Sequence, residues 1–301
     1  MRSLLNGLPS ETAKRIHPDW WKNEKEIDPM PFISVRDIRV HYDIRGTGPR
    51  LLFISGTGGD LRRSPNAFDS PLPQQFEVLA YDQRGLGQSD RPDVPYTMAD
   101  YAADADALLE AVGWDRCLVM GVSFGGMVAQ EFAVRYPRRV ERLVLACTSS
   151  GGAGGASYPL HELTGLSLEE WGRRVVELSD MRRDAAWQAT HAPELKTLVD
   201  EMIVGLKVGA HEPGRAAGAR RQIEARKDHN TYERVPSLSM PVLICGGRYN
   251  GIASVSNQEA MLRRIPRARL ELFAGGHLFF IQDANAFPRI ARFLNGEVDH
   301  P

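Results

Sequence analysis

The sequence predicts a doubly wound, mostly parallel α/β sheet that carries an inserted, all-helical segment. Three observations lead there. Short apolar runs alternate along the chain with stretches whose apolar residues recur at helical spacing. The strand-like runs are continuously apolar rather than alternating, as in a sheet covered on both faces. Residues 158–235, between two such runs, hold helical patterns and no convincing strand.

Residues 1–31 are polar and mixed, with Trp20-Trp21 as their large apolar feature. They read as an N-terminal arm packed on the body or on a second subunit, which leaves a homodimer open. Val35 to Ile44 reads as a strand pair turning near Arg36-Asp37. Leu51–Ile54, Phe76–Tyr81, Cys117–Met120, Leu143–Ala146, Pro241–Cys245 and Leu270–Phe273 follow as strands. Thr97 starts a helix: Asp100 stands three residues on as in a capping box, and Tyr101, Ala105, Leu108 and Leu109 share one face. Further helices are expected over 124–136, 255–265 and 284–294. The core is thus 32–157 with 236–301, and 158–235 is an insertion of four helices, roughly 167–181, 183–192, 194–208 and 213–227. An insertion beyond a strand's carboxyl end covers the place where such sheets bind ligands, and so reads as a lid. The alternative is a bundle on the side of the sheet.

At 301 residues the chain suits one large domain or a core with a smaller insert. Charge is balanced, 37 basic against 38 acidic residues, which gives no electrostatic footprint for nucleic acid or an anionic membrane. No apolar run approaches the ~20 residues that span a bilayer. The first residues, Met1-Arg2-Ser3-Leu4-Leu5-Asn6-Gly7, are interrupted by charge too early for a secretory signal. The three cysteines, Cys117, Cys147 and Cys245, lack disulfide-like spacing and fit a reducing cytoplasm as buried packing. No histidine pair has zinc-site spacing and no cysteine cluster exists, so no metal is expected. No glycine loop opens a helix with lysine, so no nucleotide cofactor is expected either.

Gly121-Val122-Ser123-Phe124-Gly125-Gly126 is the most informative stretch. An apolar strand precedes it and an apolar helix, closed by Pro137, follows. A serine between glycines at a strand-to-helix turn is a nucleophile elbow, where only small residues two positions either side let strand and helix approach. Its hydroxyl needs an imidazole to take its proton. Of the eight histidines, His277 lies in Gly275-Gly276-His277-Leu278, a loop directly after the last strand, where two glycines let the backbone curl back over the sheet edge.

These stretches resemble the α/β-hydrolase family, serine-nucleophile branch, over residues 32–295. The likeness is nearest to esterases, enol-lactone hydrolases and carbon–carbon hydrolases. It extends to Ser55-Gly56-Thr57-Gly58-Gly59 after a strand, where Ser55 departs from the usual histidine, and to Tyr81-Asp82-Gln83-Arg84-Gly85-Leu86-Gly87-Gln88-Ser89-Asp90, whose Arg84 reads as an anchoring ion pair. It also covers Gly247-Arg248-Tyr249-Asn250-Gly251. The resemblance implies an α/β-hydrolase fold, Ser123 as nucleophile and His277 as base. It further implies an oxyanion hole formed by the Phe124 and Thr57 amides, worth on the order of 3 kcal/mol per donor.

Position 250 departs from the family, which places aspartate there to hold the imidazole tautomer and stabilise the imidazolium. Asn250 accepts the same hydrogen bond without charge, and an amide turned the other way holds the wrong tautomer. Three readings stand: an inactivated form, an enzyme that uses asparagine as orienting residue, or another carboxylate. Against the last, Cys147 to Gly152 after the preceding strand contains none, and Asp283 reads as the start of the final helix.

The expected function is hydrolysis of small carboxylic esters or lactones through an acyl-enzyme. A carbon–carbon hydrolase and a ligand-binding homologue with little turnover are the alternatives. Trp171 and Trp187 line a pocket or belong to the core, and the arginines of the insertion are mostly a solvated face from which one or two meet a substrate carboxylate.

Overall fold

Successive side chains of a strand point to opposite faces, and in this chain both faces are apolar. The computed structural model describes residues 31–163 and 165–297; the expected arm over 1–31 lies, Pro31 apart, outside them. The strands are β1 (Phe32–Val35), β2 (Ile38–Arg45), β3 (Arg50–Ile54), β4 (Glu77–Tyr81), β5 (Cys117–Val122), β6 (Val140–Ala146), β7 (Val242–Gly247) and β8 (Ala268–Phe273). They form one sheet in the order β1-β2-β4-β3-β5-β6-β7-β8. β1–β2 and β2–β4 pair antiparallel, and every later pair is parallel.

The helices are α1 (Met98–Ala111), α2 (Phe124–Arg135), α3 (Leu168–Ser179), α4 (Ala185–Thr190), α5 (Ala192–Lys207), α6 (Arg215–Lys227), α7 (Val255–Arg264), α8 (Phe279–Gln282) and α9 (Ala286–Leu294). On one face of the sheet Leu52, Ile54, Val119, Leu143, Leu145 and Ile244 pack with α1, α2 and α7. On the other, Leu51, Val78, Leu118, Met120, Val144 and Leu243 pack with Phe279 of α8 and Ile290, Phe293 and Leu294 of α9. Burial on both faces explains the unbroken apolar runs. The Thr97 hydroxyl accepts the Asp100 amide and the Asp100 carboxylate accepts the Thr97 amide, as the spacing predicts. Asp283 differs slightly from expectation: it accepts the Ala274 and Asn285 amides and so closes the loop after β8, with α9 starting beyond Asn285.

Strand order reverses between β3 and β5: the chain steps from β3 outward to β4, then returns to the far side of β3. The carboxyl ends of β3 and β5 are therefore the switch point, the crevice where open α/β sheets bind ligands. Thr57 follows β3 there and Ser123 follows β5. Helices α3–α6 lie between β6 and β7 in sequence and reach the same edge. Gln222 of α6 accepts the Gly58 amide at 2.8 Å, and Gly218 meets Gly85 in the loop after β4. At the end of α3, Leu178 accepts the Gly251 amide and Ser179 the His277 amide. The helical segment is thus bonded to the loops that follow β3, β7 and β8. Within it, Trp171 packs beside Leu163, Leu178 and Ile252, and Trp187 beside Val176, Leu195 and Val199, which makes both part of its small apolar clusters.

Candidate active site

The turn between β5 and α2 is as tight as its glycines suggest. A Cβ on Gly121 would fall 2.3 Å from the Gly125 carbonyl oxygen, and one on Gly125 only 2.0 Å from that of Ile54. Both are below any van der Waals contact, so strand and helix meet this closely only through glycine. Between them Ser123 takes φ 55° and ψ −116°, a backbone strain of about 1–3 kcal/mol. The bend brings the serine side chain to the sheet edge, beside the loop after β3: a Cβ on Gly56 would lie 3.5 Å from Ser123 Cβ.

Ser123 Oγ stands 3.0 Å from His277 Nε2, and His277 Nδ1 stands 3.1 Å from Asn250 Oδ1. Three residues spread over 154 positions of sequence are one hydrogen-bonded chain. Asn250 is 2 % exposed and its Oδ1 also accepts the Ile252 amide at 2.9 Å and the Ala253 amide at 3.1 Å. Those two N–H donors decide which end of the amide faces the imidazole. A reversed amide would set NH₂ against two backbone donors. Oδ1 therefore accepts from Nδ1–H, and Nε2 is left with a lone pair for the serine proton. The feared wrong tautomer is excluded by the loop itself. The remaining cost is Asn250 Nδ2, buried without a partner.

Among the described residues no carboxylate bonds to His277. Burial, and after it the positive charge of Arg226, push the imidazole pKa down to about 4. The ring is 9 % exposed and neutral at ordinary pH. A carboxylate–histidine pair does exist elsewhere, His41 Nδ1 lying 2.9 Å from Asp82 Oδ2, but it is buried between β2 and the loop after β4. That loop is held by Arg84, bonded to Asp37 at 2.6 Å and to Asp104 at 2.8 Å.

Phe124 is the first residue of α2, and like the opening amides of any helix its N–H has no partner within the helix. Thr57 lies in the turn closed by the Gly59 amide on the Gly56 carbonyl after β3. Among the described residues neither amide donates to a protein acceptor.

The fold agrees with sequence comparison. The sequence model for the alpha/beta hydrolase fold matches residues 49–284. The chain belongs to the α/β-hydrolase fold family. Among its relatives, a poly(3-hydroxyalkanoate) depolymerase of Ectopseudomonas oleovorans is 29% identical over 268 residues, 83% of this chain and 87% of that protein. A 2-hydroxymuconate semialdehyde hydrolase of Pseudomonas putida is 29% identical over 271 residues, 87% of this chain and 92% of that one. Among solved α/β-hydrolase structures, an enol-lactonase from Burkholderia xenovorans superposes with a TM-score of 0.69 over 89% of this chain and 100% of its own, at 21% identity.

The structure brings Ser123, His277 and Asn250 into contact; Phe124 follows Ser123 in sequence, and Thr57 lies in the loop whose Gly56 faces the Ser123 side chain. Two further residues stand at this edge: Gln222, which sequence reasoning did not single out, and Arg226, which it left undistinguished among the insertion's arginines. Gln222, 0 % exposed, holds the loop of Thr57 through Gly58. Arg226, 7 % exposed, is the charge that reaches His277. Both sit on the inner face of α6, where a polar residue gives no apolar signal to find it by; the spacing of four between them is the single hint. Arg215 on the same helix is also buried, whereas Arg173, Arg174, Arg182, Arg183, Arg220 and Arg221 are exposed or half-buried, so the insertion's arginines are mostly a solvated face, with Arg215 and Arg226 the two exceptions.

Proposed function

We propose that this chain is a serine hydrolase of carboxylic esters or lactones, acting through an acyl-enzyme on Ser123. The observation that carries the reading is the 3.0 Å contact of Ser123 Oγ with an imidazole whose free lone pair is aimed at it by Asn250. Ser123 Oγ attacks the carbonyl carbon while His277 Nε2 takes its proton. The oxyanion is held by the Phe124 and Thr57 amides. His277 then protonates the leaving alkoxide, and water repeats the sequence to release the acid. Asn250 keeps the imidazole in the productive tautomer but supplies no charge, so turnover is slower than a carboxylate in its place would allow. Helices α3–α6 act as the lid. Relatives named as a depolymerase of a polyester and as enol-lactonases support ester or lactone substrates. Three free, buried cysteines support a reducing, cytoplasmic setting.

The relative named 2-hydroxymuconate semialdehyde hydrolase supports carbon–carbon cleavage as the second reading, by the same residues. Hydrolysis of p-nitrophenyl butyrate and of a γ-lactone tests the first. Loss of at least 10³-fold in both Ser123→Ala and His277→Ala supports it. Unchanged rates in either variant sink it, and cleavage of a vinylogous diketone alone favours the second reading.

A further inference from the structure

Three arginines are buried among the described residues: Arg84, Arg215 and Arg226. Arg84 has Asp37 and Asp104, and Arg215 lies 3.8 Å from Asp60. Among the described residues Arg226 has no acidic partner. Its Nη2 donates to Ser157 Oγ at 2.7 Å and to the Tyr158 carbonyl at 2.8 Å, and its Nε is buried with no partner at all. A guanidinium taken out of water with neutral partners alone is costly, and an anion removes much of that cost. Burial lowers its pKa to about 10, with no acid opposing the shift.

The space in front of it suits an anion. Arg226 lines a cavity of about 70 Å³ with Met127, Ser149, Ser157, His161, Lys227 and His229, and no residue of the lining is acidic. The volume holds a carboxylate group. Met127 of its lining is one turn along α2 from Ser123, and Arg226 lies near enough to His277 for its charge to bear on the imidazole. One turn back on α6, Gln222 presents Nε2, also buried and unpaired.

We propose that Arg226 is a substrate-binding residue, and that the substrate is an ester or lactone carrying a second, free carboxylate which pairs with this guanidinium while its reacting carbonyl sits at Ser123. The inference rests on the hydrolase reading and narrows it to a substrate class. It also bears on position 250. The positive charge of Arg226 opposes imidazolium formation at His277, and a carboxylate seated on Arg226 cancels that opposition. An anionic substrate thus supplies, from its own structure, part of the charge compensation that Asn250 lacks.

The test compares mono-p-nitrophenyl glutarate with its neutral methyl ester, in native enzyme, Arg226→Gln and Arg226→Lys. The native enzyme prefers the anionic ester by at least 30-fold in kcat/KM. Arg226→Gln lowers that preference to near unity, and Arg226→Lys restores a part of it. No preference in the native enzyme, or the same preference in Arg226→Gln, overturns the proposal. Free glutarate gives a readout independent of turnover. It raises the melting temperature of the native protein and not that of Arg226→Gln; equal shifts in the two overturn the carboxylate site. Should neither ester be hydrolysed, the hydrolase reading fails alone, and the glutarate shift still decides whether Arg226 holds an anion.

Discussion

Replacing Asn250 by aspartate restores a charge without moving an atom, which makes it the sharpest perturbation of this site. The size of the effect follows from the geometry. In a serine protease, an amide in place of the carboxylate costs about 10⁴ in turnover because it holds the wrong tautomer. Here that loss is absent, since the Ile252 and Ala253 amides keep Asn250 Oδ1 toward His277 Nδ1. What aspartate adds is attraction between a carboxylate and the imidazolium of the transition state. With charge centres about 5 Å apart and an effective dielectric near 20, that is about 3 kcal/mol. The same two amides offset the burial of the new charge. At 1.36 kcal/mol per tenfold, kcat/KM rises about 10²-fold in Asn250→Asp. The assay is p-nitrophenyl butyrate hydrolysis at pH 7.5, with a melting curve to show that both proteins are folded. An unchanged or lower rate refutes the reasoning. So does a gain of 10⁴, because it would mean that the native amide faces the histidine with its NH₂.

His277 and His229 are both held near pKa 4, chiefly by burial, while unfolded histidines titrate near about 6.5. Between these values the unfolded chain binds more protons, so stability rises with pH through the window and falls on acidification, by about 2 kcal/mol per histidine between pH 6.5 and 5. Equal urea midpoints at pH 7 and pH 5 contradict this. The acid limb of kcat/KM falls at about pH 4 in the native enzyme and moves upward in Asn250→Asp; a native limb near pH 7 would show that His277 is not the buried base described. Gly125→Ala drives a Cβ to 2.0 Å from the Ile54 oxygen and costs about 3 kcal/mol or more, so its melting temperature falls by several degrees; an unchanged melting temperature would mean the turn is looser than described. Arg84→Met leaves Asp104, 1 % exposed, without its bidentate partner. Asp104 keeps Arg36 at 2.9 Å, so the loss falls short of a fully unpaired buried charge, about 2–3 kcal/mol in urea unfolding, and is smaller when Asp104 is changed to asparagine as well.

The layers were legible because the central strands β3, β5 and β7 are largely apolar on both faces, and the Thr97 helix because its cap and its inner face agree. The turn at Ser123 was legible from glycine spacing, since no other residue fits where Gly125 meets Ile54. Two things lay beyond sequence. The direction of the Asn250 amide depends on the Ile252 and Ala253 amides, which curl back on it in a way no pattern of residue types encodes. The inner face of α6 is built from Arg215, Gln222 and Arg226, residues that composition assigns to water. They are buried because the helix lies across the loops after β3 and β4, a tertiary fact that overrides the local signal. Asp283 shows the same limit at smaller scale: an acid before a helix reads as its cap, yet it is spent on closing the loop behind β8.

The central claim is that Ser123 is a nucleophile made reactive by His277, and covalent capture tests it most directly. The protein is treated with a fluorophosphonate and its mass and peptide map are recorded, beside Ser123→Ala and His277→Ala. The account predicts a single adduct on Ser123, absent in Ser123→Ala and formed at least 10²-fold more slowly in His277→Ala. A Ser123 that stays unlabelled in folded protein, or labels equally fast without His277, would contradict it.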